Sequence, residues 1–163
     1  MGYETCDFRN RTRETNKKTL TVGAVKNSVV FDLNVPFICS EYDKKRTGIA
    51  VRLYENSALI QQKAVLFCRE NELHLPKAKL KTAFEETADG LNVTVSSDKY
   101  ARLVKVESSK STLPFSDNFF DLLPGQKKTV TIKNDTSIST TELRNSITTY
   151  SLSDIPFSNN KLD

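Results

Sequence analysis

The apolar positions of this chain recur with a period of two along most of its length. No stretch keeps the three-and-four spacing of a long amphipathic helix, so the pattern predicts strands throughout. Thr19–Val22 and Ser28–Pro36 read as the first two strands. Ile49–Tyr54 and Ala58–Phe67 follow, and Asn56-Ser57 between them marks a hairpin turn. Lys79–Glu85 and Leu91–Val95 form another pair around Asp89-Gly90, with Leu91, Val93 and Val95 facing inward. Along Tyr100–Val106, Ala101 and Leu103 compete with Val104 and Val106 for the inner face, which predicts a bulge. Glu107–Ser111 reads as the loop after it. Val130 and Ile132 alternate with Thr129, Thr131 and Lys133 in a half-buried strand. Ser139 and Glu142 have the spacing of a capping box and predict one helical turn to about Asn145. Ile147–Leu152 completes the strands, and residues 154–163 read as a frayed tail.

The densest apolar cluster is Phe115-Ser-Asp-Asn-Phe-Phe-Asp-Leu-Leu-Pro-Gly125. Phe115, Phe119, Phe120, Leu122 and Leu123 are core formers, and Asp117 and Asn118 are turn-prone. Pro124 presets φ near −65° and Gly125 supplies a positive φ, so Leu123–Gln126 reads as a type II turn. Asp117, Asn118 and Asp121 offer oxygens that could hold calcium. The reading preferred here is that they cap backbone N–H groups.

This motif and its surroundings resemble the C-terminal immunoglobulin-like domain of β-mannosidases and their relatives in glycoside hydrolase family 2. Ala64–Phe67 with Leu73-His-Leu-Pro-Lys77 resembles the linker leading into that domain, and Asp89–Val95 and Tyr100–Val106 resemble its early strands. The resemblance runs from about Leu66 to Ile132. It implies an all-β fold: an immunoglobulin-like β-sandwich over 69–163, preceded by part of a second β-sandwich over 1–68. It also implies a non-catalytic portion of a glycosidase whose parent hydrolyses terminal β-mannosides or related β-glycosides. The family's two catalytic carboxylates sit on a barrel that no segment here resembles. The partners implied are the upstream domains of the same enzyme, and the compartments implied for the parent are periplasmic, secreted or lysosomal. The alternative is an independent carbohydrate-binding module, for which a line of exposed aromatics on one sheet face would be the mark. An adhesion-type sandwich would explain the strands but not the motif.

Composition narrows the rest. With 163 residues the chain holds one or two domains and can bury roughly 70% of its unfolded surface. Charged residues make up 27% and the net charge is +4, with both signs interspersed, which points away from nucleic acid. Arg9, Arg11, Arg13, Lys17 and Lys18 make residues 1–18 basic, but a loop or edge strand is preferred over a binding arm. No apolar run is long enough for a membrane span, and Met1–Asp7 lacks the apolar core of a signal peptide.

Candidate chemistry is sparse. His74 is the only histidine, which excludes triads and multi-histidine metal sites. Cys6, Cys39 and Cys68 have neither zinc nor redox spacing. Glu85 and Glu86 would point to opposite faces of a strand, which defeats a two-carboxylate mechanism from that pair. No cofactor motif is present. Tryptophan is absent, and of the five tyrosines Tyr42 is the best candidate for sugar stacking. Asn10, Asn92 and Asn134 stand in glycosylation sequons.

Overall fold

The structure, a computed structural model, describes residues 2–7, 11–19, 21, 29–34, 43–134 and 137–155. The chain divides into two compact units, Met1–Leu75 and Pro76–Asp163.

In the first unit, strands β1 (Gly2–Asp7), β2 (Arg11–Lys17), β3 (Thr47–Glu55) and β4 (Ala58–Leu66) form an antiparallel sheet in the order β2-β1-β3-β4. The β3–β4 hairpin turns at Asn56 and Ser57, both at positive φ (48° and 69°), the backbone of a two-residue hairpin turn matched to strand twist. Ile49 is buried on β3, with Phe31, Leu33, Val51 and Phe67 packed against it.

Three expectations change here. The basic N-terminal stretch supplies two strands: β2 lies at the edge of the sheet, as expected, but β1 lies inside it between β2 and β3. Its polar sequence carries no apolar signal; pairing on both sides places it. Val29–Asn34, expected as part of a strand, joins no ladder, although Phe31 and Leu33 still reach Ile49. Their alternation is satisfied by packing without backbone pairing. Thr19 and Thr21 are in no strand, while Leu20 and Val22 of that expected strand lie outside the described residues.

The second unit holds two three-stranded sheets. One is β5 (Leu80–Thr87), β6 (Gly90–Ser97) and β9 (Lys127–Lys133), in the order β5-β6-β9. The other is β10 (Ile147–Tyr150), β7 (Ala101–Ser108) and β8 (Phe120–Leu122), in the order β10-β7-β8. Leu91, Val93, Val95, Val130 and Ile132 from the first sheet meet Ala101, Val104, Val106 and Leu122 from the second in one buried cluster. Leu143, from helix α1 (Thr140–Ser146), closes it. Each fully buried valine, leucine or isoleucine stabilises this core by roughly 1.5–3 kcal/mol relative to exposure. This is the all-β immunoglobulin-like sandwich that the resemblance implies.

Details follow from local chemistry. The β7 register shifts between Ala101 and Val104, and Leu103 takes φ +50°, so the competing inner-face residues are resolved by a bulge. β7 continues through Glu107 and Ser108, expected as loop, because both pair with β10. Ala88 and Asp89 make the β5–β6 turn, and Gly90 opens β6. A Cβ on Gly90 would lie 2.1 Å from the Ile132 carbonyl oxygen, so close approach of β9 requires this glycine. Ser139 caps α1: its Oγ accepts from the Glu142 N–H (3.2 Å), and the Ser139 N–H donates to Glu142 Oε2 (3.1 Å). The last strand ends at Tyr150, where Leu152–Asp154 forms a 3-10 turn.

Candidate functional site

The Phe115–Gly125 segment passes from the edge of one sheet to the edge of the other. At its start, Phe115 bridges Ile132, and the Ser116 N–H donates to the Thr131 carbonyl (2.8 Å). The Thr131 N–H returns a bond to Ser116 Oγ (2.9 Å). The chain then crosses, and Phe120–Leu122 pairs with β7 as β8. The segment therefore stitches the sandwich together, and its side chains divide accordingly. Leu122 and Leu123 are buried, and Phe115 and Phe120 pack on the core. Leu123–Gln126 closes the turn, with Gly125 at φ +76° and the Gln126 N–H bonded to the Leu123 carbonyl (3.0 Å). The Gly125 N–H donates to the Ser97 carbonyl (2.8 Å), which seats Pro124-Gly125 on the end of β6.

The polar residues are all engaged. Asn118 Oδ1 accepts from the Val106 N–H (2.8 Å), and Asn118 Nδ2 donates to the Val106 carbonyl (2.7 Å). Asp117 accepts from the Asn118 N–H (2.8 Å) and pairs with Lys128 Nζ (2.8 Å). That ammonium holds the Asp117 carboxyl below its ordinary range. Asp121 accepts from the Tyr100 hydroxyl (2.9 Å), from Arg102 Nη1 (2.6 Å) and from the Leu103 N–H (3.1 Å). Burial pushes the Tyr100 hydroxyl far above its ordinary range, and the Asp121 charge adds to the shift.

These bonds are the ones the capping reading calls for. Asp117 caps the Asn118 N–H, Asn118 caps the Phe119 N–H (3.2 Å) and also binds Val106 across on β7, while Asp121 fixes the β7 bulge across the sheet. Among the described residues no three His, Cys, Asp or Glu side chains gather as a metal site. The roles of Tyr100, Arg102 and Leu103 carry no signal in sequence, because they depend on the register of β7 against β8.

Phe119 departs from the expected core role. It is 59% exposed and holds φ +57°, the left-handed region that costs a bulky side chain roughly 1 kcal/mol. Its neighbours leave it no alternative: Asn118 is bound to Val106 and Phe120 is paired with Val104.

The remaining candidates are scattered. His74 is exposed, and its N–H donates to the Lys45 carbonyl (2.8 Å). Cys68 is a half-buried free thiol with Sγ 3.6 Å from the Lys44 carbonyl, and burial raises its pKa. Glu85 and Glu86 pair opposite Asn92 and Leu91 respectively, on opposite faces of β5. Asn92 accepts from Thr131 Oγ1 (2.7 Å) and donates to Glu85 (3.4 Å). Asn134 Nδ2 donates to the Ala88 carbonyl (3.1 Å). Tyr42, Cys39 and Asn10 lie outside the described residues. Tyr54 is 43% exposed, Tyr100 is buried, and Tyr150 is half-buried beneath Lys105 Nζ, 5.3 Å from its ring centre.

Comparison with known proteins agrees with this architecture. Residues 75–155 match the profile of the mannosidase Ig-fold domain. The structure is similar to that of a β-D-mannosidase from Dictyoglomus thermophilum, with a TM-score of 0.76 at 20% identity. The likeness covers 92% of this chain and 18% of that enzyme's. Among curated proteins, no sequence matches. Residues 75–155 are similar to the Ig-fold domain of mannosidases, and the chain as a whole is similar in fold to part of a β-mannosidase.

Proposed function

We propose that the chain is a non-catalytic accessory portion of a β-mannosidase-like glycoside hydrolase of family 2, whose parent hydrolyses terminal β-mannosides or related β-glycosides. The match of residues 75–155 to the mannosidase Ig-fold domain carries this reading. The side chains support it. Retaining glycosidases need two carboxyl groups about 5 Å apart flanking one bond. Glu85 and Glu86 sit on opposite faces of β5, and Asp117 and Asp121 are committed to Lys128 and to β7. The chemistry then belongs to another part of the parent, and the sandwich packs against the domains that carry it. Incubating the purified chain with an aryl β-mannoside tests this. No turnover is expected; turnover that co-purifies with the chain and survives repeated purification would overturn the reading.

A further inference from the structure

Strand β4 forms one edge of the first-unit sheet, and among the described residues no strand pairs along its outer side. Sheets ordinarily guard such edges with charge, brevity or a covering segment. Every other described edge is guarded in one of these ways. β2 carries Arg11, Arg13, Glu14 and Lys17, and β5 carries Lys81, Glu85 and Glu86. β8 and β10 are three and four residues long, and Phe115 bridges the outer side of β9. β4 has nine residues and a single charge, Lys63. It leaves Leu59, Ile60 and Val65 exposed by 48%, 56% and 41%. Its one register shift lies at the hairpin end, and Gln61–Leu66 pairs with β3 without a break, so most of the edge is regular.

We infer that β4 is a dimerisation edge. The β4 of a second copy adds to it as an antiparallel strand and joins two four-stranded sheets into one. The occupant of a free edge must bring unpaired backbone groups and few charges of its own, and β4 is the described strand that offers both. It also fits itself. A two-fold axis at Gln62, the middle of the strand, overlaps all of β4 with its copy over about 30 Å. That register sets Gln61 opposite Lys63 of the second copy, twice by symmetry, so the strand's cation never meets its own kind. The Leu59-Ile60 end of each strand then lies beside the Val65 end of the other. An axis at Lys63 would instead oppose two ammonium groups and shorten the overlap. Because β2, at the far side of the sheet, is charged, the assembly closes at two copies.

Sedimentation equilibrium of the intact chain across the micromolar range tests this, and a species of twice the monomer mass is expected. Gln61→Lys puts like charges opposite each other at both symmetric contacts and should weaken the dimer about tenfold. Gln61→Glu puts a carboxylate opposite Lys63 and should tighten it about threefold. Ala83→Lys, on the β5 edge, should leave it unchanged. Gln61 and Ala83 are both exposed, and melting curves establish that each variant is folded. A chain that stays monomeric, a dimer indifferent to the charge at position 61, a dimer weakened equally by Ala83→Lys, or association that continues past two copies would each overturn the proposal. The dimer does not depend on the glycosidase reading, and none of these outcomes bears on whether the chain hydrolyses a mannoside.

Discussion

Asn118 holds Val106 by both of its backbone groups, accepting from the N–H at 2.8 Å and donating to the carbonyl at 2.7 Å. One side-chain amide does here what the next residue of a paired strand would do. It closes the edge of β7 where β8 has not yet begun. Asn118→Ala would leave both Val106 groups without these partners on a residue that is fully buried. A loss of about 2–4 kcal/mol is expected, read from the midpoint of urea unfolding. Asn118→Asp keeps the acceptor but loses the donor, and should fall between the two. A change under 0.5 kcal/mol for Asn118→Ala, on the scale of an ordinary surface substitution, would show that the amide is not what holds this edge.

Asp121 makes a stronger demand. Removing its carboxylate takes away one acceptor each from the Tyr100 hydroxyl, Arg102 and the Leu103 N–H at once. Asp121→Ala should cost about 3 kcal/mol, because three hydrogen bonds to one carboxylate, one of them charge-assisted, are lost together. Tyr100→Phe removes one bond and leaves the carboxylate two, so about 1 kcal/mol is expected. Thermal melts of both variants check the ratio, and equal losses would contradict a shared hub.

The alternation along the second unit was sufficient to place Leu91, Val93 and Val95 on one face and to expose the conflict that the β7 bulge resolves. Turn chemistry was equally legible at Asn56-Ser57 and Pro124-Gly125, where few residue types fit the backbone. Three kinds of information were not local. β1 is polar and is placed by pairing with β2 and β3. Val29–Asn34 alternates as a strand does but never enters a ladder. Phe119 looks like a core residue by type, and only the locked positions on either side of it push the ring into solvent. In the candidate site, residue types announced capping by Asp117 and Asn118, whereas the partners of Asp121 depend on a register that no short stretch encodes.

Phe119 should be replaceable at a gain. At φ +57° an asparagine or glycine avoids much of the steric penalty a phenylalanine bears, and little burial is lost from a side chain already 59% exposed. Phe119→Asn or Phe119→Gly is expected to raise stability by up to about 1 kcal/mol in urea unfolding. A clear destabilisation by both would mean the ring contributes packing that its exposure does not reveal.

Asp117 predicts an acid limb. The bond from Lys128 is the larger cause of its lowered pKa, and the Asn118 N–H adds to it, against an ordinary value of 3.8. A carboxyl depressed on folding contributes stability that is present above its unfolded pKa and lost as pH falls through the folded one. The loss from this pair therefore falls below about pH 4. It should stay under about 1 kcal/mol, since both side chains are nearly half exposed. Lys128→Met should raise the Asp117 pKa toward 3.8, as read by NMR titration of its carboxyl carbon. An unmoved pKa would assign the shift to the backbone N–H instead.

Gly90 offers the sharpest steric test. It lies where β6 begins, paired with Thr87 on one side and Lys133 on the other. An added Cβ would meet the Ile132 carbonyl oxygen at 2.1 Å and the Lys133 Cα at 2.9 Å, both backbone atoms that no rotamer change can move aside. Relief requires that β9 shift, yet Ile132 is fully buried and Phe115 bridges to it from the crossing segment. Gly90→Ala should therefore cost about 2–3 kcal/mol, more than the loss of an ordinary turn glycine. Gly125→Ala gives the comparison: it has open space around it but a φ of +76°, so its penalty of about 1 kcal/mol is purely conformational. Hydrogen exchange separates the mechanisms. Gly90→Ala should lower protection along the whole β6–β9 ladder, whereas Gly125→Ala should lower it only at the turn. Equal and local effects from both would mean that the approach of β9 to Gly90 is not what sets this edge of the sandwich.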